Sequence, residues 1–403
     1  MGSKIIITGY RNAIVTCMHD GKRMIGLDID TEHDKYMLGD ICVGKVRNII
    51  KNINAAFVEI NDKKICYLSL ADVTDPYFVK HGNSDNIKVG DEILVQVSRD
   101  NVKSKAPGCS TSIELTGKNL VLTRDAGKVS VSSKIEDPAE RRRLKDLVTP
   151  LCTDSYGFIV RTNALAADPG RIKDEAVSLA AEYEKILLLA KTRSCFSVIK
   201  KAYPDYIRIV RDGYSDVFEE FITDDEKIYE TLREYLADFQ PEDLDKLSFY
   251  DNADYPLDAK FNISKCIGDC YHEKVWLKSG GSIVIQTTEA LTAIDVNTEK
   301  AIKGKNDTQA MFRKINLEAA EEIAYQLRLR NITGIIIIDF IDMLDGKDRA
   351  ELFDRLSEAV RHDPIKTAVV DTTRLNLVEV TRKKTIRPLK DQLKTLDDIQ
   401  KQG

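Results

Sequence analysis

Three residues at the ends of two apolar runs have the chemistry of a cation site. In TTEALTAIDVNTEK, residues 287–300, Asp295 and Asn297 stand two apart at the end of a strand-like stretch, and Asp339 ends a second run, IIIIDF. Residues two apart on an extended strand face the same side. Functional groups in α/β sheets gather at strand ends, where the backbone leaves the core and holds a side chain rigidly. If the two strands are neighbours, two carboxylates and an amide converge. Two carboxylates about 4 Å apart repel by roughly 4 kcal/mol at an effective dielectric near 20. Such a pair either shares a proton or holds a cation. Oxygen-only ligands with few protein contacts favour Mg²⁺, which keeps several waters and commonly bridges to phosphate. The plainer reading of either aspartate alone is a helix cap or a turn former. Periodicity by itself leaves open whether the strands adjoin.

Rigid elements must hold those residues, and the last third of the chain supplies them. GGSIVIQTTEALTAIDVN, residues 280–297, reads as a Gly-Gly turn and two strand-like runs. Residues 308–330 place Phe312, Ile315, Ala319, Ile323 and Leu327 on one stripe of a long amphipathic helix. Asn331 and Gly334 stop it. IIIIDF reads as a fully buried strand, followed by a helix over about 348–362, a strand TAVVDTT and a closing helix into TRKK. Alternating strand and helix is α/β organisation. Upstream, residues 36–100 carry short β-branched runs broken by Gly and Asn-Asp, the pattern of a small all-β barrel. Helical periodicity dominates 138–147 and 171–191, and between them YGFIVRTN reads as a strand ending at Arg161 and Thr162. Residues 224–260 are acidic and tyrosine-rich, with breaks at Pro241 and Pro256, and read as packing and linker.

Composition narrows the class. With 403 residues, 43% apolar and 31% charged, the sequence suits a multidomain globular protein. Its longest apolar run, at 334–338, is far below the roughly 20 residues that a membrane span needs. Neither a membrane anchor nor a signal peptide is expected, which makes the cytoplasm the expected location. Eight scattered cysteines fit a reducing compartment rather than a disulfide framework. A net charge of −5 argues against coating nucleic acid by bulk electrostatics, so any such site is local. Basic groups cluster at Lys103 and Lys105, at Arg141, Arg142 and Arg143, and in TRKKTIRPLK; the arginine triplet reads as a solvated helix face.

Other candidates carry less. Phe57 and Tyr67 lie on successive barrel strands with Lys45, Arg47 and Lys105 nearby in sequence. Such aromatics either stack bases while lysines follow phosphates, or fill the barrel core. Cys266, Cys270 and His272 in CIGDCYH lack the second pair that a zinc site needs. No nucleophile setting, P-loop or dinucleotide fingerprint is present.

GGSIVIQTTEALTAIDVN, NLEAAEEIAYQLRLRNITGIIIIDFIDM and GKVRNIIKNINAAFVEI, in this order of motifs, closely resemble the catalytic region of the ribonuclease E/G family, over residues 36–385. The resemblance implies an α+β multidomain chain. An RNase H-like fold would form from 1–35 and 205–272, with an OB-type RNA-binding barrel (36–110) and a 5′-phosphate sensor (111–204) inserted in it. A DNase I-like α/β catalytic unit (273–385) and a tail (386–403) would follow. It further implies that Asp295 and Asp339 hold Mg²⁺ and that Asn297 is catalytic, cleaving single-stranded RNA to 5′-phosphate and 3′-hydroxyl ends in RNA processing and decay. Phe57 and Tyr67 would stack bases and Lys105 would add a basic contact. Arg161, Thr162 and the backbone of Val121 would grip a 5′-monophosphate, as an arginine fork plus a hydroxyl can.

Two departures from the family pattern stand out. The zinc-binding C-P-x-C-x-G-x-G link that joins subunits is replaced by LKDQLKTLDDIQKQG, so no zinc link is expected and a homodimer would have to form without it. Asn163-Ala164 stands where the family commonly has Ala-Gly, which bears on the geometry of the sensor loop. The alternatives are a non-catalytic RNA-binding or assembly factor and a nuclease of single-stranded DNA. Keeping two mutually repelling carboxylates favours an enzyme over a binder.

Overall fold

The computed structural model describes residues 2–31, 38–61, 64–73, 76–80, 86–99, 106–212, 218–299, 308–361, 363–384 and 387–402. The chain forms two compact units, one of residues 1–31, 216–230 and 246–403, the other of 32–215 and 231–245.

In the first unit, strands β1 (Lys4–Tyr10), β2 (Ala13–His19) and β3 (Met24–Asp30) form an antiparallel meander. β15 (Glu220–Thr223) and β16 (Leu247–Phe249) extend it in parallel, giving the order β16-β15-β1-β2-β3. Helices α5 (Leu257–Phe261), α6 (Ile263–Tyr271) and α9 (Leu389–Gln402) bury Leu257, Ile263, Ile267, Leu389, Leu393 and Leu396 with Ile6, Val15 and Leu27 of this sheet. The final segment is thus a helix packed on the first sheet. Gln392 of α9 accepts the Ile29 N–H at 2.8 Å and donates to the Asp28 carboxylate at 3.0 Å, so its amide caps one backbone donor on the edge of β3.

The second sheet of this unit has the order β17-β18-β19-β20-β22-β21: β17 (Lys274–Trp276), β18 (Ser282–Thr287), β19 (Leu291–Asn297), β20 (Gly334–Asp339), β21 (Thr367–Thr372) and β22 (Val378–Arg382). β19 and β20 run parallel, and α7 (Thr308–Leu329) makes the long crossover that a parallel pair needs. α8 (Gly346–Arg361) connects β20 to β21. Period-two alternation puts Ile283, Ile285, Ile294, Val296, Ile336, Ile338, Val378 and Val380 on one face. Ile315, Ala319, Ile323 and Leu327 of α7 and Leu352, Leu356 and Val360 of α8 pack against that face, so the anticipated helical stripe is the core contact. Asn331, at φ 46°, turns the chain out of α7.

Two expectations for this sheet need correction. β20 is buried on one face only, since Ile335 remains 52% exposed. The segment leading into TRKK is a strand, β22, and not a helix. Its inward positions are Val378, Val380 and Arg382, and the Arg382 guanidinium is buried against Asp363 at 2.7 Å and Asn331 at 2.7 Å. A charged residue at a core position hides the alternation.

In the second unit, β4 (Ile41–Ile50), β5 (Ala55–Asn61), β6 (Lys64–Ser69), β8 (Glu92–Arg99) and β9 (Gly108–Ser110) close into a five-stranded, OB-like barrel through the β4–β8 pairing. β7 (Phe78–Lys80) and β14 (Val198–Lys200) add to its edges. A four-stranded sheet follows, β10 (Glu114–Thr116), β11 (Leu120–Thr123), β13 (Gly157–Val160) and β12 (Val129–Val131), in that order. It shares a core with α1 (Pro138–Val148) and α2 (Pro169–Thr192). Both helices begin with an Asp whose side chain accepts an N–H of the first turn, Asp137 and Asp168, followed by proline. α3 (Asp205–Asp212) also lies in this unit. Residues 224–260, read as packing and linker, hold β16, α5 and the helix α4 (Glu226–Phe239). Among the described residues, no helix is long and apolar enough to cross a membrane.

Candidate active site

The β19–β20 register decides what the sequence left open. Asp295 is the Cα partner of Asp339, so the two backbones lie about 4.8 Å apart, the spacing of adjacent strands. Asn297 shares the face of Asp295 and donates its Nδ2 to the Asp295 carboxylate at 2.6 Å. Both aspartates are exposed and lie on the face opposite to α7 and α8. The preceding hairpin turn is tight. A Cβ on Gly281 would sit 2.9 Å from the Asn297 carbonyl and 2.9 Å from Ile315, so a side chain there would displace the strand that carries Asn297.

The charges in this site are one-sided. Burial, then the carboxylates of Asp295 and Asp342, push the Asp339 carboxyl above the ordinary aspartate range. Among the described residues no lysine or arginine is ion-paired with any of the three. Asp342 is the participant that sequence reading missed. It stands three residues beyond Asp339 in DFID, outside the strand, where strand periodicity no longer assigns a side, and Asn376 of the β21–β22 turn reaches it at 3.5 Å. Crowded oxygen donors with no ion-paired lysine or arginine among the described residues fit a hard divalent cation, and Mg²⁺ needs only one or two protein carboxylates beside waters and phosphate. A larger cage is not formed: among the described residues no group of three His, Cys, Asp or Glu is arranged to hold a metal. Cys266 and Cys270, one helical turn apart in α6, hydrogen-bond to each other.

In the second unit, Phe57 and Tyr67 are cross-strand partners whose rings meet edge to face, with centroids 6.2 Å apart. Ala56, Val58, Cys66 and Leu68 fill the barrel, so both rings stand half-buried on its outside. The core-filling alternative is thereby excluded. Arg47 pairs with Glu59 beside them. Lys105 and Lys103 lie outside the described residues.

Arg161 follows β13, and its N–H donates to the Asn119 carbonyl at 2.8 Å, just before β11. The register Val121↔Ile159 places Val121 one strand over, and Thr162 opens a short 3-10 turn. The arginine fork is already engaged. One nitrogen donates to the Gly117 carbonyl at 2.6 Å and another contacts Asp212 at 2.8 Å. Burial would raise the Asp212 carboxyl, but hydrogen bonds and charge from Arg211, then Arg161, outweigh it and hold it below the usual range. Behind this loop Glu175 accepts from the N–H groups of Asn119 (2.9 Å) and Leu120 (3.1 Å) and from the Asn119 amide (2.7 Å). A Cβ on Gly117 would fall 2.0 Å from that carboxylate, so a side chain there would push Glu175 off these N–H groups. Ala164 is fully buried in the core between sheet and helices. Of the arginine triplet only part is a solvated face: Arg141 donates to the Ser132 and Ile135 carbonyls at 2.8 and 2.9 Å.

A sequence model described as the Ribonuclease E/G family matches residues 114–385. The chain belongs to the ribonuclease E/G family. Ribonuclease G of Haemophilus influenzae is 32% identical over 378 residues, covering 91% of this chain and 76% of that protein. Ribonuclease G of Escherichia coli is 32% identical over 376 residues, with the same coverage of 91% and 76%. Ribonuclease E of Haemophilus influenzae is 31% identical over 392 residues, which is 95% of this chain and 42% of that longer protein. The ribonuclease E/G match contains Val121, Arg161, Thr162, Asp295, Asn297 and Asp339, while Phe57 and Tyr67 precede it.

Proposed function

We propose that this protein is an endoribonuclease of RNA processing and decay that cuts single-stranded RNA with Mg²⁺, leaving 5′-phosphate and 3′-hydroxyl ends. The observation that carries the reading is the in-register pairing of Asp295 with Asp339, with Asn297 on the same face. Membership of a family whose relatives are named ribonucleases G and E supports it. Asp295 and Asp339 would hold the cation, with Asp342 adding negative potential. When bound, Mg²⁺ supplies Lewis acidity and neutralises charge that builds up on the phosphodiester. Asn297 holds the Asp295 carboxylate in place and presents an amide to orient the water or the scissile group.

Further parts of the proposal follow the family's architecture: RNase H-like segments 1–35 and 205–272, barrel 36–110, sensor 111–204, DNase I-like unit 273–385 and tail 386–403. Phe57 and Tyr67 would stack bases from outside the barrel, and Lys105 would follow the backbone. Arg161, Thr162 and Val121 would favour RNA with a 5′-monophosphate. The protein would act in the cytoplasm, as a monomer or as a homodimer without a zinc link.

The test is cleavage of a short A/U-rich single-stranded RNA bearing a 5′-monophosphate or a 5′-hydroxyl, in Mg²⁺ or EDTA. Wild type should cut in Mg²⁺ only, and Asp339→Asn should be slower by about 100-fold or more. Undiminished cutting by Asp339→Asn would remove the carboxylate site from the reaction.

A further inference from the structure

The edge strand β17 places the chain's single tryptophan in the same sheet as the carboxylates, two strands from that of Asp295 and three from that of Asp339. Trp276 is the register partner of Ser282, and Ser282 of Asn297. Residues directly opposite in antiparallel strands point to the same side, so Trp276 and Asn297 share the face that α7 and α8 leave open. One alternation along, Lys274, Val284 and Asp295 form the parallel row. Two strand spacings put the root of the indole about 10 Å from that of Asn297.

The ring is held but not covered. Lys274 Nζ lies 4.4 Å from its centroid and also pairs with Glu299, which accepts the Ser282 hydroxyl at 3.1 Å. The adjacent Val275 points the other way, into the core. Trp276 nevertheless remains 58% exposed, although a large aromatic ring gains more from burial than most side chains. An oriented, exposed indole under an ammonium group, on the face that carries the proposed reaction, matches the elements of a single-strand binding platform: a π-face for a base and a cation for phosphate.

We infer that Trp276 stacks a base of the RNA strand close to the scissile linkage, with Lys274 directed at the neighbouring phosphate, and so helps to set which linkage lies over Asp295 and Asp339. The inference rests on the ribonuclease reading above. Stacking of this kind tolerates any base, so it positions the strand without demanding a sequence.

Because the protein has no other tryptophan, its own emission reports the contact. Asp339→Asn protein titrated with the A/U-rich oligonucleotide should lose tryptophan fluorescence along the same binding curve that anisotropy of a labelled RNA gives. In the otherwise wild-type chain, Trp276→Ala should raise KM by on the order of 10-fold with much less change in kcat, and Trp276→Phe should restore most of the loss. An oligonucleotide with an abasic site beside the cleaved linkage should make wild type and Trp276→Ala equal. Saturating RNA binding with unchanged emission, or an unaltered KM in Trp276→Ala, would overturn the assignment while leaving the ribonuclease reading intact. Failure of wild type to bind or cut RNA at all would remove both.

Discussion

The pair Asp295–Asp339 and the residue Arg161 are built on opposite electrostatic terms. The aspartates face each other across two strands with a third carboxylate, Asp342, nearby, and burial together with those charges lifts the Asp339 carboxyl out of its ordinary range. Arg161 is held by the Gly117 carbonyl and the Asp212 carboxylate. The first pair has no ion-paired lysine or arginine among the described residues. Arg161 already has a carboxylate partner, with which a phosphate bound as proposed would have to compete. If the pair is the cation site proposed above, a bound cation relieves its repulsion, and if Arg161 is the proposed sensor, a phosphate there has to displace a carboxylate.

Beyond the loss of cleavage expected of Asp339→Asn, four measurements break or sharpen this contrast. Arg161→Ala should collapse the rate ratio between 5′-monophosphate and 5′-hydroxyl RNA, a loss of about 10-fold for a charge-assisted phosphate contact. A ratio that survives would take Arg161 out of the sensor. Asp212→Asn should act in reverse, releasing the guanidinium and increasing the same ratio by roughly 5-fold, the weight of a partly exposed ion pair. An unchanged ratio would mean that Asp212 does not compete.

The carboxylate site should show itself in pH. Protons compete with the cation for Asp339, whose pKa is raised. The Mg²⁺ concentration for half-maximal rate should therefore climb as pH falls, starting at a higher pH than for an ordinary aspartate. In Asp342→Asn, which removes one cause of the shift, that climb should begin at a lower pH. The smallest effect concerns stability without metal. Because the folded-state pKa lies above the unfolded value, the folded form holds a proton that the unfolded form has lost, so stability falls as pH rises through the folded pKa. Asp339→Asn should raise the neutral-pH Tm by roughly 1 °C, as suits an exposed pair, and the gain should vanish once pH drops below the unfolded carboxyl's pKa.

Much of this was legible in the sequence where a single period governs. The stripe Ile315, Ala319, Ile323, Leu327 marks α7, and β-branched alternation marks the barrel. The family relation, carried by whole motifs, was equally plain. Legibility fails where a partner is distant. Nothing local in VEVTR shows that Arg382 lies inside, because its side chain and that of Asp363 are only 2% and 4% exposed as a pair formed across 19 residues. Asp212 stands 51 positions from Arg161, and no periodicity connects them. The side on which Phe57 lies was undecidable until its strand neighbours Ala56 and Val58 were seen to fill the barrel.

Gln392 gives α9 a role beyond packing. Its amide oxygen accepts the Ile29 N–H and its nitrogen donates to the Asp28 side-chain carboxylate, so a side chain meets the outer edge of β3 at one backbone donor. A variant without that amide would leave the Ile29 N–H, one backbone donor on an edge strand, without this partner. At that position α9 closes one point at which an edge strand could add a further chain.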